Sequence, residues 1–172
     1  MPTTFAFRNI SPVIFNESYR YKTYPLDAGE TFVKGAPAVL DDGVVAETGA
    51  DPAAILGFFT ADADQYDWKE DTFGHVEPAV PVALATGTFR GTMSHATGTV
   101  GGVAFTWEWD PDVIGDTFGI TENADGIWVV DAEKSAANQR VVVLGVDDEV
   151  EADDINPPVI FAVLPANRQV VV

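Results

Sequence analysis

The chain has 172 residues, 47% of them hydrophobic and 11% aromatic, so it can bury a sizeable core, which excludes global disorder. The chain has nine basic and 27 acidic residues, which give a net charge of −18. Because it has no basic cluster, this composition excludes ordinary binding to a nucleic-acid duplex and disfavours binding to an anionic membrane surface. The absence of cysteine removes disulfide scaffolds, thiolate zinc sites and cysteine nucleophiles. The acidity leaves two interpretations open, a solvated repulsive outer face or an adaptation to high salt.

Residues 1–25 are predicted to form an extended N-terminal arm, because Pro2, Pro12 and Pro25 argue against a helix. The arm carries many large apolar side chains, and two interpretations stay open. It is either a first strand packed on its own domain or an arm that lies on a neighbouring subunit. On the second interpretation the interface residues are Phe5, Phe7, Ile10, Phe15, Tyr19, Tyr21 and Tyr24. No basic segment followed by an apolar run starts the chain, so we expect no signal peptide and synthesis in the cytoplasm.

Residues 26–59 predict a compact β unit built around one tight turn. Asp42-Gly43 is a hairpin signal, because glycine adopts the positive φ that such a turn needs. Asp51-Pro52 predicts a helical turn over 51–54, with Asp51 as its N-cap. The strands of this unit are predicted at 31–33, 38–40, 44–46 and 55–59.

The middle of the chain predicts an acidic loop followed by a strand. Within residues 60–80, Asp62, Asp64 and Asp67 invite comparison with a calcium loop, but the segment lacks the glycine and glutamate that such a loop needs at its sixth and twelfth positions. Residues 81–93 alternate in character and predict one half-buried strand, with Val82 and Leu84 on the same face. The glycine-rich loop 94–102 lacks the pattern of a phosphate-binding loop.

Residues 103–109 predict a strand with Phe105, Trp107 and Trp109 on one face and Glu108 on the other. Such an aromatic stripe is typical of a core or a protein interface, and a sugar-stacking platform remains an alternative. Glu108, Asp110 and Asp112 form an acidic group of the kind that glycosidases use. Acidic residues are so abundant in this chain that three of them close together carry little weight as a catalytic signal. We therefore expect no catalytic, cofactor-binding or metal site.

The C-terminal third predicts a hairpin and two core strands. Residues 117–121 and 127–130 flank a turn at 123–126, and a helical turn is expected at 133–138. The continuous apolar run 140–146 predicts a strand buried on both faces. The acidic segment 147–154 is expected to be exposed, and 159–164 is predicted as the last core strand.

These patterns together predict an all-β fold, a small antiparallel β-barrel or β-sandwich with an extended N-terminal arm and only isolated helical turns. The arm spans residues 1–25 and the all-β domain spans 26–172. The spacing also allows two packed β units, at about 26–93 and 103–172.

Two stretches carry a resemblance to a known family: AGETFVKGAPAVLDDGVVAETGADPAAILGFF, and the later runs GDTFGITENADGIWVVD, RVVVLG and VIFAVLP. Over about residues 25–60 and 115–165 the chain resembles small structural proteins of tailed bacteriophages and archaeal viruses, which include capsid decoration (cement) proteins. The resemblance implies a virion protein on the outer capsid surface that reinforces the lattice of the major capsid protein, as a homotrimer.

That resemblance brings no catalytic residues, and we expect neither a cofactor nor a nucleic-acid partner. The density of large apolar side chains in the arm makes the arm the expected capsid contact. Alternatives that stay open are a tail-tube or head-completion protein and a carbohydrate-binding β module that would use the aromatic stripe at Phe105, Trp107 and Trp109.

Overall fold

The computed structural model describes residues 3–13, 21–26, 30–63, 79–95, 99–100, 103–104, 107–133, 137–146 and 149–169. They form short strands, 3₁₀ turns and loops, so the predicted all-β class is confirmed. In this part of the chain no helix has the length and apolarity needed to cross a membrane. The strands are β1 (Ser11–Pro12), β2 (Tyr21–Pro25), β3 (Pro37–Asp41), β4 (Val44–Glu47), β5 (Gly57–Phe59), β6 (Ala79–Leu84), β7 (Thr88–Ser94), β8 (Thr99–Val100), β9 (Val103–Ala104), β10 (Thr117–Glu122), β11 (Trp128–Asp131), β12 (Val141–Val146) and β13 (Pro158–Val163).

Five strands form an antiparallel sheet, called here the first sheet, in the order β2, β6, β5, β3, β4. Its β3–β4 turn is the predicted Asp42-Gly43 hairpin, and both residues have positive φ, 46° and 90°. A parallel bridge between Leu26 and Val45 brings the end of β2 back to β4. The first sheet therefore curls round towards closure.

Five other strands close into a small barrel, in the order β7, β11, β10, β12, β13 and back to β7. One edge of β7 pairs with β13, and β1 and β11 share its other edge. The β10–β11 turn is the second predicted hairpin. The side-chain oxygen of Asn123 accepts the backbone N–H groups of Asp125 and Ile127, at 3.0 and 2.9 Å. Both hairpins predicted from turn residues are confirmed.

The barrel and the first sheet pack together through three phenylalanine rings. Phe58 belongs to β5, and its ring centroid lies 4.6 Å from that of Phe89 on β7 and 6.1 Å from that of Phe161 on β13. All three side chains are fully buried. These rings join residues of both sheets in one hydrophobic core.

Asp51 links the two sheets, and here the sequence prediction was wrong. We expected Asp51 to cap a helical turn over 51–54, but none of these residues is helical, Asp51 and Ala53 lie in bends, and Asp51 has a φ of 49°. Its backbone N–H donates to the carbonyl of Ile120 on β10, and its Oδ1 accepts the N–H of Ile120 at 3.0 Å. Gly119 is required beside it, because any Cβ at that position would collide with the Asp51 carboxylate. The carboxylate therefore serves the junction between the sheets and caps no helix.

The segment after β13 returns to cover the first sheet. Ile55 donates its N–H to the carbonyl of Asn167 and accepts the N–H of Gln169. The side-chain amide of Gln169 then accepts the N–H of Leu40 at 2.7 Å and donates to its carbonyl at 2.6 Å. The side chain of Gln169 thus occupies the place of one more strand residue at the edge of β3.

Three strand predictions need correction. Residues 31–33 form no strand. The single strand expected over 81–93 is two strands, β6 and β7, because a turn at 85–87 reverses the chain with Gly87 N–H donating to Leu84. The strand expected over 103–109 is limited to β9 and an isolated bridge at Glu108. Residues 105–106, and residues 134–136 of the expected helical turn 133–138, lie outside the described residues.

β12 and the acidic segment after it also differ from expectation. β12 was expected to be buried on both faces, but only Val141 and Val143 are buried, while Leu144 is 46% exposed. A barrel strand has one face towards the interior and one towards the outside, so an apolar run of this length does not require two buried faces. The segment 147–154 was expected to be exposed throughout, but Asp154 is buried.

Candidate functional site

The N-terminal segment is tied to the barrel end by residues far away in sequence. Thr4 forms a parallel bridge with Ile155, where Phe5 N–H donates to the Ile155 carbonyl at 2.9 Å and Ile155 N–H donates to Thr3 at 2.8 Å. Glu108 pairs antiparallel with Ile155 from the other side. Residues 3–5, 154–156 and 107–109 therefore form a three-stranded arrangement, called here the end ladder.

The register of the end ladder decides which side chains face inwards. Directly paired residues share a face, so Thr4, Ile155 and Glu108 lie on one side, with Thr4 and Glu108 exposed. Trp107 and Trp109 lie on the opposite side, where their ring centroids are 5.8 Å apart. Trp109 is buried and Trp107 is half-buried. Their shared face opposite Glu108 is as predicted, but a flat sugar platform would need both rings exposed.

Asp154 and Asn156 hold the end ladder together with their side chains. Both carboxylate oxygens of Asp154 accept backbone N–H groups, from Glu151 at 2.8 Å and from Thr3 at 2.6 Å, and these bonds hold its pKa below the ordinary value of 3.8. Asn156 has a φ of 54°, and its side-chain oxygen accepts the N–H of Trp107 at 2.9 Å. Sequence reasoning missed both residues. The one available signal was Asn156 before two prolines, a pattern typical of a turn.

The seven candidate interface residues fall into three groups. Ile10 and Tyr24 are only 1% and 5% exposed, so they belong to this chain's own core and are not available to a partner. Tyr21 is 51% exposed on β2, and Phe5 and Phe7 are half-buried. Phe15 and Tyr19 lie outside the described residues. The structure therefore leaves Phe5, Phe7 and Tyr21 as accessible aromatic groups among the described candidates.

Ile10 is locked between the two sheets by two glycines. A Cβ at Gly35 would lie 2.7 Å from the backbone nitrogen of Ile10, and a Cβ at Gly91 would lie 3.0 Å from its side chain. β1 follows directly and pairs with β7 through Ser11 and Arg90. Between residues 8 and 12 the N-terminal segment is therefore an integral part of the body.

β2 presents the most exposed part of the candidate surface. Tyr21, Lys22 and Thr23 are all exposed, while β2 pairs with β6 along its length. The ammonium of Lys22 lies 5.1 Å from the ring centroid of Tyr24, an arrangement that favours a cation–π contact. This strand carries an aromatic ring and a cation on a protein whose net charge is strongly negative.

The acidic group at Glu108, Asp110 and Asp112 serves local structure. The Asp110 side chain accepts the N–H of Asp112 at 2.9 Å and caps the 3₁₀ turn Pro111–Val113. Glu108 and Asp112 are exposed. Within the described ranges, no group of three or more His, Cys, Asp or Glu side chains has the arrangement needed to hold a metal ion.

The chain matches no family model and no curated protein.

Proposed function

We propose that this protein is a structural component of a virion that binds the outer surface of a viral capsid and stabilises the lattice of its major capsid protein. The observation that carries the proposal is that the described part of the N-terminal segment, residues 3–13 and 21–26, is held on an all-β body and yet leaves aromatic rings accessible. Tyr21 is half exposed, and Phe5 and Phe7 are half-buried. The resemblance of residues 25–60 and 115–165 to capsid decoration proteins supports the same function.

The mechanism would be mechanical. Burying a large apolar side chain contributes about 1.5–3 kcal/mol, and fixing one backbone residue costs about 1–2 kcal/mol. The described part of the N-terminal segment is already fixed by the end ladder and by the β1–β7 pairing, so the rings would bind without that ordering cost. Many copies, each contributing a modest free energy, would then reinforce a shell against internal pressure.

The charge of the protein fits this role. With a net charge of −18, the outward face of each bound copy would stay solvated and would repel other particles. A homotrimer placed at local threefold positions is what the family resemblance implies, and it forms part of the proposal.

The test is co-sedimentation of the purified protein with empty shells assembled from the major capsid protein of the same virus. Deletion of residues 1–20 is a poor test, because it removes Ile10 from the core. Tyr21→Ser and Phe5→Ser keep the core intact and are expected to weaken binding about tenfold each, the cost of losing one buried ring.

Ile114→Ser is the matched control, because Ile114 is as exposed as Tyr21 but lies on the barrel. Unchanged shell binding by both aromatic variants, or the absence of any saturable binding to the shells, would overturn the proposal.

A further inference from the structure

A second surface of the molecule carries exposed apolar groups without any role in the proposed function. Among the described residues the exposed large hydrophobic side chains are Tyr21, Ile114 at 50% and Leu144 at 46%. Gly115 N–H donates to the Val143 carbonyl at 2.8 Å, and Val143 N–H donates to Asp116 at 3.0 Å. These bonds join the chain segments that carry Ile114 and Leu144, and both side chains are exposed.

Leu144 occupies a β-bulge. The register of β12 against β13 moves from Val143 opposite Phe161 to Gly145 opposite Ile160, so Leu144 is the extra residue with no partner on β13. Bulges are over-represented where a protein re-aims a side chain or ends strand pairing. Here the residue at the bulge is Leu144, whose large aliphatic side chain is exposed to solvent. A bulge that only shaped the strand would not need an exposed leucine at this position.

The edge of β12 beside this pair is open in the described part of the chain. β10 pairs with β12 through Val141 and Val142, and Gly145 and Val146 pair with β13 alone. No described strand or bridge lies along the other edge of 144–146. Such an edge offers backbone N–H and C=O groups to an added strand.

Exposed acidic residues lie close in sequence to Ile114 and Leu144, and their charge selects the kind of partner. Asp110 and Asp112 are exposed just before Ile114, and Glu149, Glu151 and Asp153 are exposed shortly after β12. A second copy of this chain, with its net charge of −18, would be repelled by such a surface. A segment that carries lysine or arginine would be attracted.

We propose that Ile114, Leu144 and the open edge at Gly145 and Val146 form a docking surface for an extended segment of a partner protein. The segment would place an apolar side chain against Ile114 and Leu144, with lysines or arginines on either side facing the acidic groups. This proposal is independent of the capsid contact through the N-terminal segment.

The test uses a capped, fluorescently labelled peptide, Lys-Lys-Val-Ile-Val-Lys-Lys, and the same peptide with glutamate in place of lysine. The basic peptide is expected to bind saturably at low salt and more weakly at high salt, with amide NMR shifts confined to residues near Gly145. Leu144→Ser and Ile114→Ser are each expected to reduce the association constant about tenfold or more. Both side chains are half exposed, so the variants are expected to keep the thermal stability of the parent protein.

Two controls separate the parts of the proposal. Tyr21→Ser removes an equally exposed ring from the first sheet and should leave peptide binding unchanged. Asp112→Asn should weaken binding, whereas Asp42→Asn, the same charge change in the β3–β4 turn, should not.

Absence of binding, equal binding of the glutamate peptide, or insensitivity to Leu144→Ser would overturn the proposal. Self-association abolished by Leu144→Ser would assign the surface to a second copy and overturn it equally.

Discussion

At the scale of single residues, the carboxyl group of Glu47 is partly buried and lies near other carboxylates. Glu47 ends β4, its Oε2 accepts the N–H of Val33 at 3.2 Å, and its own N–H donates to Glu30. Burial raises the pKa of its carboxyl above the ordinary 4.5, the Val33 bond lowers it in part, and the nearby carboxylates of Glu122 and Glu30 raise it further. The charged form is therefore disfavoured in the folded protein.

The raised pKa of Glu47 makes the free energy of unfolding depend on pH, and the direction of that dependence is fixed. Between the ordinary pKa of 4.5 and the raised one, the folded state binds more protons than the unfolded state, so the free energy of unfolding falls as pH rises through this window. Glu47→Gln keeps an oxygen for the Val33 N–H and removes the charge. At about pH 7 it is expected to raise the free energy of unfolding by up to about 1 kcal/mol, a figure reduced for solvent screening, and the gain should vanish near pH 4.

Urea denaturation at the two pH values measures this difference. Glu133→Gln makes the same chemical change at an exposed position and serves as the control. A Glu47→Gln variant that is less stable than the parent protein at neutral pH would contradict the expected rise in the free energy of unfolding.

At the scale of elements, the N-terminal segment and the turn before β3 depend on each other through Gly35. This residue has a φ of +88°, and a Cβ there would lie 2.7 Å from the nitrogen and 3.0 Å from the carbonyl oxygen of Ile10. Both contacts involve backbone atoms, which cannot move aside as a flexible side chain can. The buried position of Ile10 therefore rests on the absence of a side chain at residue 35.

Gly35 and Gly43 have nearly the same φ, so comparing their alanine variants distinguishes the cost of that clash from the cost of backbone strain. Gly43 has a φ of +90° and open space around its Cβ position, so Gly43→Ala is expected to cost only the strain of a positive φ, about 1–2 kcal/mol. Gly35→Ala carries the same strain and the collision with Ile10, so it is expected to cost about 2 kcal/mol more. Chemical denaturation of both variants measures the difference, and equal costs would show that the segment around Ile10 moves away freely.

At the scale of the whole molecule, the phenylalanine rings of Phe58, Phe89 and Phe161 decide whether the sheets unfold together. Phe58→Ala is expected to lower the free energy of unfolding by about 3–5 kcal/mol, because the ring is fully buried between the sheets. Since the core is shared, tryptophan fluorescence and far-ultraviolet circular dichroism should still report one coincident transition. Ile114→Ala, on the exposed side of the barrel, is the control and should change stability little. Two separate transitions would mean that the sheets are independent units.

The sequence by itself determined the features that depend on neighbouring residues. The Asp42-Gly43 and Asn123–Gly126 turns lie where their turn chemistry predicts, because a positive φ or an asparagine side-chain bond acts within about four residues. The all-β class followed from many short apolar runs separated by glycine and proline. The shared face of Trp107 and Trp109 followed from strand periodicity.

Only the tertiary structure decided which distant segments meet. The bond from Thr3 to Asp154 joins residues 151 positions apart, and nothing local in either segment specifies the other. The same holds for Asp51, whose sequence resembles a helix start but whose carboxylate meets β10, and for β12, whose apolar run has one face outside a barrel. Ile10 and Tyr24 are apolar enough for either an interface or a core, and hydrophobicity is non-directional, so packing alone placed them inside.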